Sequence, residues 1–569
     1  MASTSTGAAA LLASSVAASV EVCFANPGTT EMWLVGAMDS SPDMRGVLGL
    51  HENVCTGAAD GYARMARKPA LVLLHLGVGL ANGLANLHNA RRAGSPIVVL
   101  VGEMATWHRG KDSLLEMDVV KLAETVSKHV HVSLAPGALP NDLTAAVDAV
   151  QVPNVVNGSR IATLVMPHDR TWEAADGSDA PPTHVVEAPA PAPADHHHGE
   201  TRILPDEGAR EFFSACAQAL KRASAENKRI LLYAGGEALV GDAFKAVGRI
   251  AASLGGPSKA SVIIENAFAR VDRGAGFPLA TRIPYFPQEA KAEFAKYHEV
   301  LCLDARLPVA LFGYKDGPSD DMLPPIGDDH IWQVDTGFDV TGALHLLEKE
   351  LGSEAITPGV NCRGSMCPPS GVSRPALPAS DAKLSGPHLC TIVAHHQPEN
   401  TILVDESLTS GGSYWDASAK CPPFSHLALT GGAIGIGMPM AVGAAVACPD
   451  RVVINLQADG SGMYTCQSLW TQARERLRVL TIVCFNNAYQ ILKIELMRQR
   501  IQASGPASRS MTDLGDPPLQ WEELARGMGV SNVRGARTCG EMSSCMEEAL
   551  RDLNAPEPSG PWVIVANLT

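Results

Sequence analysis

Val452-Val453-Ile454-Asn455-Leu456-Gln457 runs into Ala458-Asp459-Gly460-Ser461-Gly462, and Val479-Leu480-Thr481-Ile482-Val483-Cys484-Phe485 runs into Asn486-Asn487-Ala488-Tyr489. Each apolar, β-branched run has strand length and ends in turn residues. The residues between them, about Met463 to Leu477, read as a helix. A strand–helix–strand unit makes its two strands parallel and usually neighbours. Asp459 and Asn486 then meet at one sheet edge although 27 positions separate them.

The same alternation recurs through the 569 residues. Upstream come a helix over 8–19, a strand over 21–25, a turn at Asn26-Pro27-Gly28 and a strand over 46–50. A helix over 53–66, a strand over 70–75, a Gly-rich loop over 77–83 and the strand Ile97–Val101 follow. The middle of the chain offers Ile230–Tyr233, a helix over 241–254 and Val300–Leu303; Thr401–Val404 precedes the opening unit. The pattern predicts an α/β protein of three doubly wound parallel-sheet domains, with ligands at the carboxyl ends of strands. Two Pro-rich breaks set the expected boundaries. They are an N-terminal domain over 1–171, a linker over 172–200, a central domain over 201–352, a linker over 353–387 and a C-terminal domain over 388–569.

Composition narrows the function. With 45 Lys and Arg against 60 Asp and Glu, the net charge is −15, which argues against a nucleic-acid partner. No apolar run reaches the ~20 residues of a membrane helix, so no membrane partner is expected. Ala8–Val20 is apolar but lacks a basic flank, and reads as a core helix rather than a signal peptide. Thirteen scattered cysteines without Cys-x-x-Cys spacing point to reduced thiols and a cytoplasmic location. His196, His197 and His198 read as a solvated run inside the first linker.

At the Asp459 edge, one carboxylate, one amide oxygen and nearby carbonyls suit Mg²⁺, which takes oxygen ligands. Gly460 and Gly462 leave room for close backbone approach, and the N–H groups leading into the helix favour a phosphate, with Gly460 and Ser461 expected to contact the cofactor. The site reads as one for a Mg²⁺-bridged diphosphate.

The arrangement resembles the thiamine-diphosphate motif, Gly-Asp-Gly followed further along by Asn-Asn, with Ala458 in place of the first Gly. The resemblance implies Asp459, Asn486 and the Ala488 carbonyl as metal ligands, with Asn487 and Tyr489 instead if the register shifts. His51-Glu52-Asn53, with the small-residue segment after it, looks like the cofactor-activating segment of the same superfamily. It implies Glu52 as the carboxylate that hydrogen-bonds the aminopyrimidine ring and promotes ylide formation. Asn26, Pro27, Gly28 and Thr29 match the first cofactor loop. Gly432 and Ile434 fall in the segment supporting the bent cofactor, with Ile434 beneath it. The chain is thus similar to thiamine-diphosphate enzymes of the acetolactate-synthase-like and benzoylformate-decarboxylase-like branch. Pyrimidine-binding, central and diphosphate-binding domains are implied, as is a homodimer or homotetramer with active sites at the subunit interface.

The resemblance also implies the reaction. His75 falls where benzoylformate-decarboxylase-like enzymes carry a catalytic His, and Thr29 where they place a hydroxyl residue near the substrate carboxylate. A His that titrates near neutrality can shuttle the proton that releases an aldehyde. This favours decarboxylation of a 2-oxo acid through an ylide and enamine. The alternatives are a carboligase joining that intermediate to a second carbonyl, and a non-catalytic regulatory subunit. No flavin signature stands out in the middle block, so FAD is not expected. Glu495 reads as part of a solvated helix face.

Overall fold

The computed structural model describes residues 5–151, 159–175, 185–187, 206–315, 317–334, 339–352, 372–503 and 505–569. Most of both expected linkers, including His196–His198, lies outside the described residues.

The first sheet is built from β1 (Val22–Asn26), β2 (Arg45–Leu48), β3 (Ala70–Leu74), β4 (Ile97–Glu103), β5 (His129–Val132), β6 (Ile161–Pro167) and β7 (Val185–Glu187). Their spatial order is β2-β1-β3-β4-β6-β5-β7. The second sheet takes β8 (Ile230–Ala234), β9 (Ala260–Ile264), β11 (Thr281–Arg282), β12 (Glu299–Leu303) and β13 (Ile331–Val334), leaving out β10 (Arg270–Arg273). The third contains β14 (Ile402–Glu406), β15 (Phe424–Ala428), β16 (Val453–Ala458), β17 (Val479–Phe485), β18 (Asn532–Ala536) and β19 (Trp562–Asn567). Its order is β10-β15-β14-β16-β17-β19-β18. Three mostly parallel α/β sheets therefore stand as the sequence pattern predicts.

Four local features differ from that pattern. β7, inside the expected first linker, pairs antiparallel with β5. β10 leaves the middle block and pairs antiparallel with β15, where Asp272 accepts a hydrogen bond from Ser425 at 2.9 Å. The expected Gly-rich loop over 77–83 lies wholly inside the helix Leu76–Ala93. Its glycines are packing positions: a Cβ on Gly77 would lie 2.6 Å from Met117 Cβ, and one on Gly83 2.9 Å from Thr56 Cγ2. The helix expected over 463–477 begins earlier, as Asp459–Gly462, breaks, and resumes as Ser468–Arg474.

The first and third sheets share one apolar core, running from Val22, Val72 and Val99 through Ile436 and Met440 to Val404 and Val453. At its centre the helix Glu52–Ala66 meets the helix Gly437–Ala447. A Cβ on Gly61 would sit 2.2 Å from the Met440 carbonyl oxygen, and one on Gly443 1.8 Å from that of Ala58. Only glycine permits so close an approach. His51 begins the first of these helices, its Nδ1 accepting from the Asn53 N–H at 3.0 Å. Among the described residues, no helix is long and apolar enough to cross a membrane.

A buried histidine makes the fold sensitive to acid. His426 on β15 is enclosed by the rings of Phe268, Tyr414, Trp415 and Phe424, with centroids 5.1 to 6.2 Å away. Burial pushes it down to about 4, against Asp405 at 3.5 Å and with Arg273 and Arg282 adding to the fall. A histidine depressed in the fold takes up its proton more readily once unfolded. Its contribution is therefore complete above the ordinary histidine value and is lost as pH falls from there toward 4. The expected loss is on the order of 3 kcal/mol across that window. Denaturation of wild type and His426→Phe at pH 7 and pH 4.5 checks it: the variant should lose distinctly less stability on acidification.

Candidate active site

Three adjacent parallel strands end at one edge of the first sheet. β2 leads to Glu52, β1 to the Asn26–Glu31 loop, and β3 to His75. The Asn26 amide donates to the Gly49 carbonyl at 2.8 Å and ties the first two loops together. Glu52 opens its helix and accepts a hydrogen bond from the Asn82 amide at 3.1 Å. A Cβ on Gly79 would lie 3.5 Å from Glu52 Oε1 and 3.6 Å from His75 Cβ, so one glycine separates the two side chains.

His75 caps the next helix, and Leu76 after it adopts a left-handed φ of 54° while buried. A bulky residue there carries strain on the order of 1–2 kcal/mol, which the surrounding contacts must hold. His75 Nδ1 lies 2.9 Å from Glu31 Oε2 and 3.2 Å from Thr30 Oγ1. Gly28 is a steric requirement, because a Cβ there would fall 2.2 Å from the imidazole.

The third sheet has its own edge. Glu406, at the end of β14, is buried and accepts from the Gly435 N–H at 2.6 Å, the Gly437 N–H at 2.7 Å and Gln457 Nε2 at 2.9 Å. Burial raises its carboxyl and these donors oppose the rise. The loop carrying Gly432 and half-buried Ile434 thus hangs from one carboxylate, with left-handed turns at Gly432 (φ 78°) and Gly435 (φ 94°). Gln457 also donates to Ser461 Oγ at 2.7 Å, beside Gly460.

Asp459 follows β16. Its Oδ2 accepts from the N–H groups of Asn487 at 2.7 Å and Asn486 at 3.1 Å, and its Oδ1 from Gly460 at 2.9 Å. Burial raises this carboxyl and the backbone donors oppose the rise. Asn486 Oδ1 is near, accepting from the Ala488 N–H at 3.0 Å. Among the described residues, the Ala488 carbonyl accepts no hydrogen bond, and the buried Asn487 Oδ1 has no partner. This all-oxygen set beside a desolvated carboxylate fits a hard divalent cation. Among the described residues, no group of three or more His, Cys, Asp or Glu is placed to hold a metal ion.

The structure therefore gathers Asn26, Pro27, Gly28, Thr29, Glu52 and His75 at one edge. It gathers Gly432, Ile434, Asp459, Gly460, Ser461, Asn486 and Ala488 at another. Among the described residues, no hydrogen bond joins Glu52 or His75 to Asp459, Asn486 or Ile434 within one chain. Glu495 is not simply solvated, since Tyr314 donates to it at 3.0 Å. Thr30 and Glu31 end the Phe24–Glu31 stretch that resembles the first cofactor loop, but the sequence assigns them no role, and Glu406 and Gln457 fall outside the residues it points to. The available signal for Glu406 is its strand-end position; Glu31 accepts from the Gly28 N–H three positions before it.

The chain is similar to known proteins in sequence and in fold. Residues 5–122 match the description "Thiamine pyrophosphate enzyme, N-terminal TPP binding domain", and residues 413–566 match its C-terminal TPP binding domain. The chain is 40% identical over 565 residues to "Putative acetolactate synthase large subunit IlvX" of Mycobacterium tuberculosis, covering 99% of each. It is 26% identical to benzoylformate decarboxylase of Pseudomonas aeruginosa, covering 93% of each. In fold it is similar to the thiamine diphosphate-dependent 4-hydroxybenzoylformate decarboxylase of Rhodococcus jostii RHA1. The TM-score is 0.76, with 22% identity and 99% of each chain covered.

Proposed function

Because this chain belongs to the thiamine pyrophosphate enzyme family, we propose that it decarboxylates a 2-oxo acid to an aldehyde, using thiamine diphosphate and Mg²⁺. The observation that carries this reading is His75: its Nδ1 is engaged by Glu31 and Thr30, and among the described residues its Nε2 forms no hydrogen bond. When bound, thiamine diphosphate supplies the electron sink for the pair left behind as carbon dioxide departs.

The protein's own residues do the rest. Asp459, Asn486 and the Ala488 carbonyl would hold Mg²⁺. Gly460 and Ser461 would border the diphosphate. Ile434, on the loop hung from Glu406, would support the cofactor, and Asn26–Thr29 would help to hold it. Glu52, held by Asn82, would be the carboxylate that exchanges a proton with the cofactor's aminopyrimidine. His75 Nε2 delivers the proton that releases the aldehyde.

We assign residues 1–171 as the pyrimidine-binding domain, 201–352 as the central domain and 388–569 as the diphosphate-binding domain. Among the described residues, Glu52 and His75 form no hydrogen bond to Asp459, Asn486 or Ile434 within one chain, although Asn89 and Asn86 donate to the Ala433 and Gly435 carbonyls of the Ile434 loop; this supports a homo-oligomer with sites shared between subunits. Large apolar side chains stand exposed in both regions, Trp33 and Leu50 in one, Met463 and Tyr464 in the other.

The 40% identical relative, by its name, favours a second reading, carboligation of the decarboxylated fragment to another carbonyl. Product analysis separates the two. The enzyme is incubated with pyruvate, branched 2-oxo acids or phenylglyoxylate singly, then with added aldehydes, and followed by NMR. Aldehyde from a single acid supports the first reading; a coupled hydroxy-ketone or hydroxy-oxo acid as the sole product supports the second.

The metal assignment has its own test. Thiamine diphosphate with Mg²⁺ is expected to stabilise the wild type by about 2.7 kcal/mol at a hundredfold excess over Kd. Asp459→Ala should show no Mg²⁺-dependent gain in a thermal melt. An equal gain in both would remove Asp459 from the site.

A further inference from the structure

We propose that Glu31 is a positioning residue that fixes the His75 imidazole as its Nδ1–H tautomer and so leaves Nε2 for the reacting atoms. The inference rests on the reading of His75 as proton donor and adds to it a residue and a tautomer.

The Glu31 side chain is fully buried, whereas that of His75 is 20% exposed. Among the described residues, no Lys or Arg forms an ion pair or hydrogen bond with Glu31. A buried carboxylate is costly unless donors satisfy it. Its donors here are the Gly28 N–H at 2.8 Å, the Thr30 hydroxyl and the imidazole. An ionised carboxylate only accepts. The Thr30 proton is committed to Glu31 Oε1, so Thr30 Oγ1 can only accept from the nearby Nδ1. Both neighbours of Nδ1 are thus acceptors, and Nδ1 carries the hydrogen. In the neutral ring Nε2 then holds a free lone pair.

Two glycines make room for the pair. A Cβ on Gly28 would fall 2.2 Å from the imidazole, and one on Gly102 would fall 1.7 Å from Glu31 Oε1. Both flanking backbones are bare where the two side chains lie. The left-handed turn at Leu76 fixes the direction in which His75 leaves β3. A histidine that merely capped a helix would need neither a buried carboxylate nor two glycine cradles. In the transfer itself, the imidazolium gives its Nε2 proton to the carbon that has lost carbon dioxide, keeps Nδ1–H, and is reprotonated from water at its exposed edge.

The test is long-range ¹H–¹⁵N NMR of histidine-labelled, cofactor-free protein, with His75 assigned by the signals lost in His75→Ala. A neutral ring with Nδ1 protonated and Nε2 bare is expected; the reverse tautomer, or an even mixture, overturns the proposal. Thr30→Val should keep the Nδ1–H form, because Glu31 remains; loss of the preference there would assign the hold to Thr30. In the holoenzyme, Glu31→Gln keeps the volume and removes the charge. It should lower kcat about 10- to 100-fold with KM changed by less than about twofold, and Glu31→Asp should restore part of the loss. An unchanged kcat in Glu31→Gln also overturns it. If wild type forms no aldehyde from any 2-oxo acid, the decarboxylase reading falls, and the tautomer measurement still decides whether Glu31 governs His75.

Discussion

Glu52→Gln is expected to lower kcat by about 10³-fold, within the range that a positioned acid–base group supplies, while thiamine diphosphate still binds. The geometry separates those two effects. Glu52 sits at the first-sheet edge, bonded to Asn82, and among the described residues forms no hydrogen bond to the Asp459 edge that is proposed to hold the diphosphate and metal. The amide is isosteric, and its NH₂ would meet the Asn82 NH₂ unless it flips. Flipping keeps that hydrogen bond and still removes the proton exchange proposed for the carboxylate. Steady-state kinetics with the best 2-oxo acid, alongside calorimetric titration of the cofactor, reads both quantities. A variant that turns over at more than about a tenth of the wild-type rate would leave Glu52 outside the proton path. One that loses binding and turnover together would make it a binding residue instead.

Arg64→Met should be the most destabilising single change, at about 3–5 kcal/mol, because it strands a charge. The Arg64 guanidinium forks onto Asp60 at 2.6 and 2.8 Å, with both side chains almost fully buried. Its remaining hydrogens reach the Ala428 carbonyl at 2.7 Å, the Ala269 carbonyl at 3.1 Å and Thr430 Oγ1 at 3.1 Å. One side chain thus ties the helix of Glu52 to the end of β15 and to the approach to β10. Removing it leaves the Asp60 carboxylate with Ser95 as its remaining side-chain donor. Arg64→Lys is expected to recover little, since an ammonium cannot reproduce the fork and the bonds beyond it. The pair Asp60→Leu with Arg64→Met should be more stable than Arg64→Met alone, because no buried charge is left unpaired. Urea denaturation of the four proteins checks the order; equal stabilities of the single and double variants would contradict this account of the junction.

Much of this fold is legible in local sequence, because the sheets are almost wholly buried. A strand such as Val479–Phe485 is apolar on both faces and bounded by turns, so its limits follow from composition alone. The same logic put Asp459 and Asn486 at neighbouring strand ends, where they lie. The failures share a cause. Gly77, Gly79 and Gly83 look like a loop because glycine is a poor helix former. Yet the helix forms, since Met117 and Thr56 occupy the space that side chains on Gly77 and Gly83 would need. The pairing of β10 with β15 depends on a polar strand whose partner lies more than 150 positions away. Glu31 is marked locally only by its place three positions after Gly28, and Glu406 only by its place at a strand end. Their roles come from glycine N–H groups and a histidine delivered by other segments.

The central claim is that this chain activates thiamine diphosphate through Glu52. Its most direct measurement needs no substrate. Wild type and Glu52→Gln, each loaded with thiamine diphosphate and Mg²⁺, are mixed rapidly into D₂O, quenched with acid, and the cofactor C2 proton is followed by NMR. Exchange in wild type is expected to be faster than in free cofactor by about 10³-fold or more, with a return toward the free rate in the variant. Equal exchange in the two proteins, both bearing bound cofactor, would contradict it.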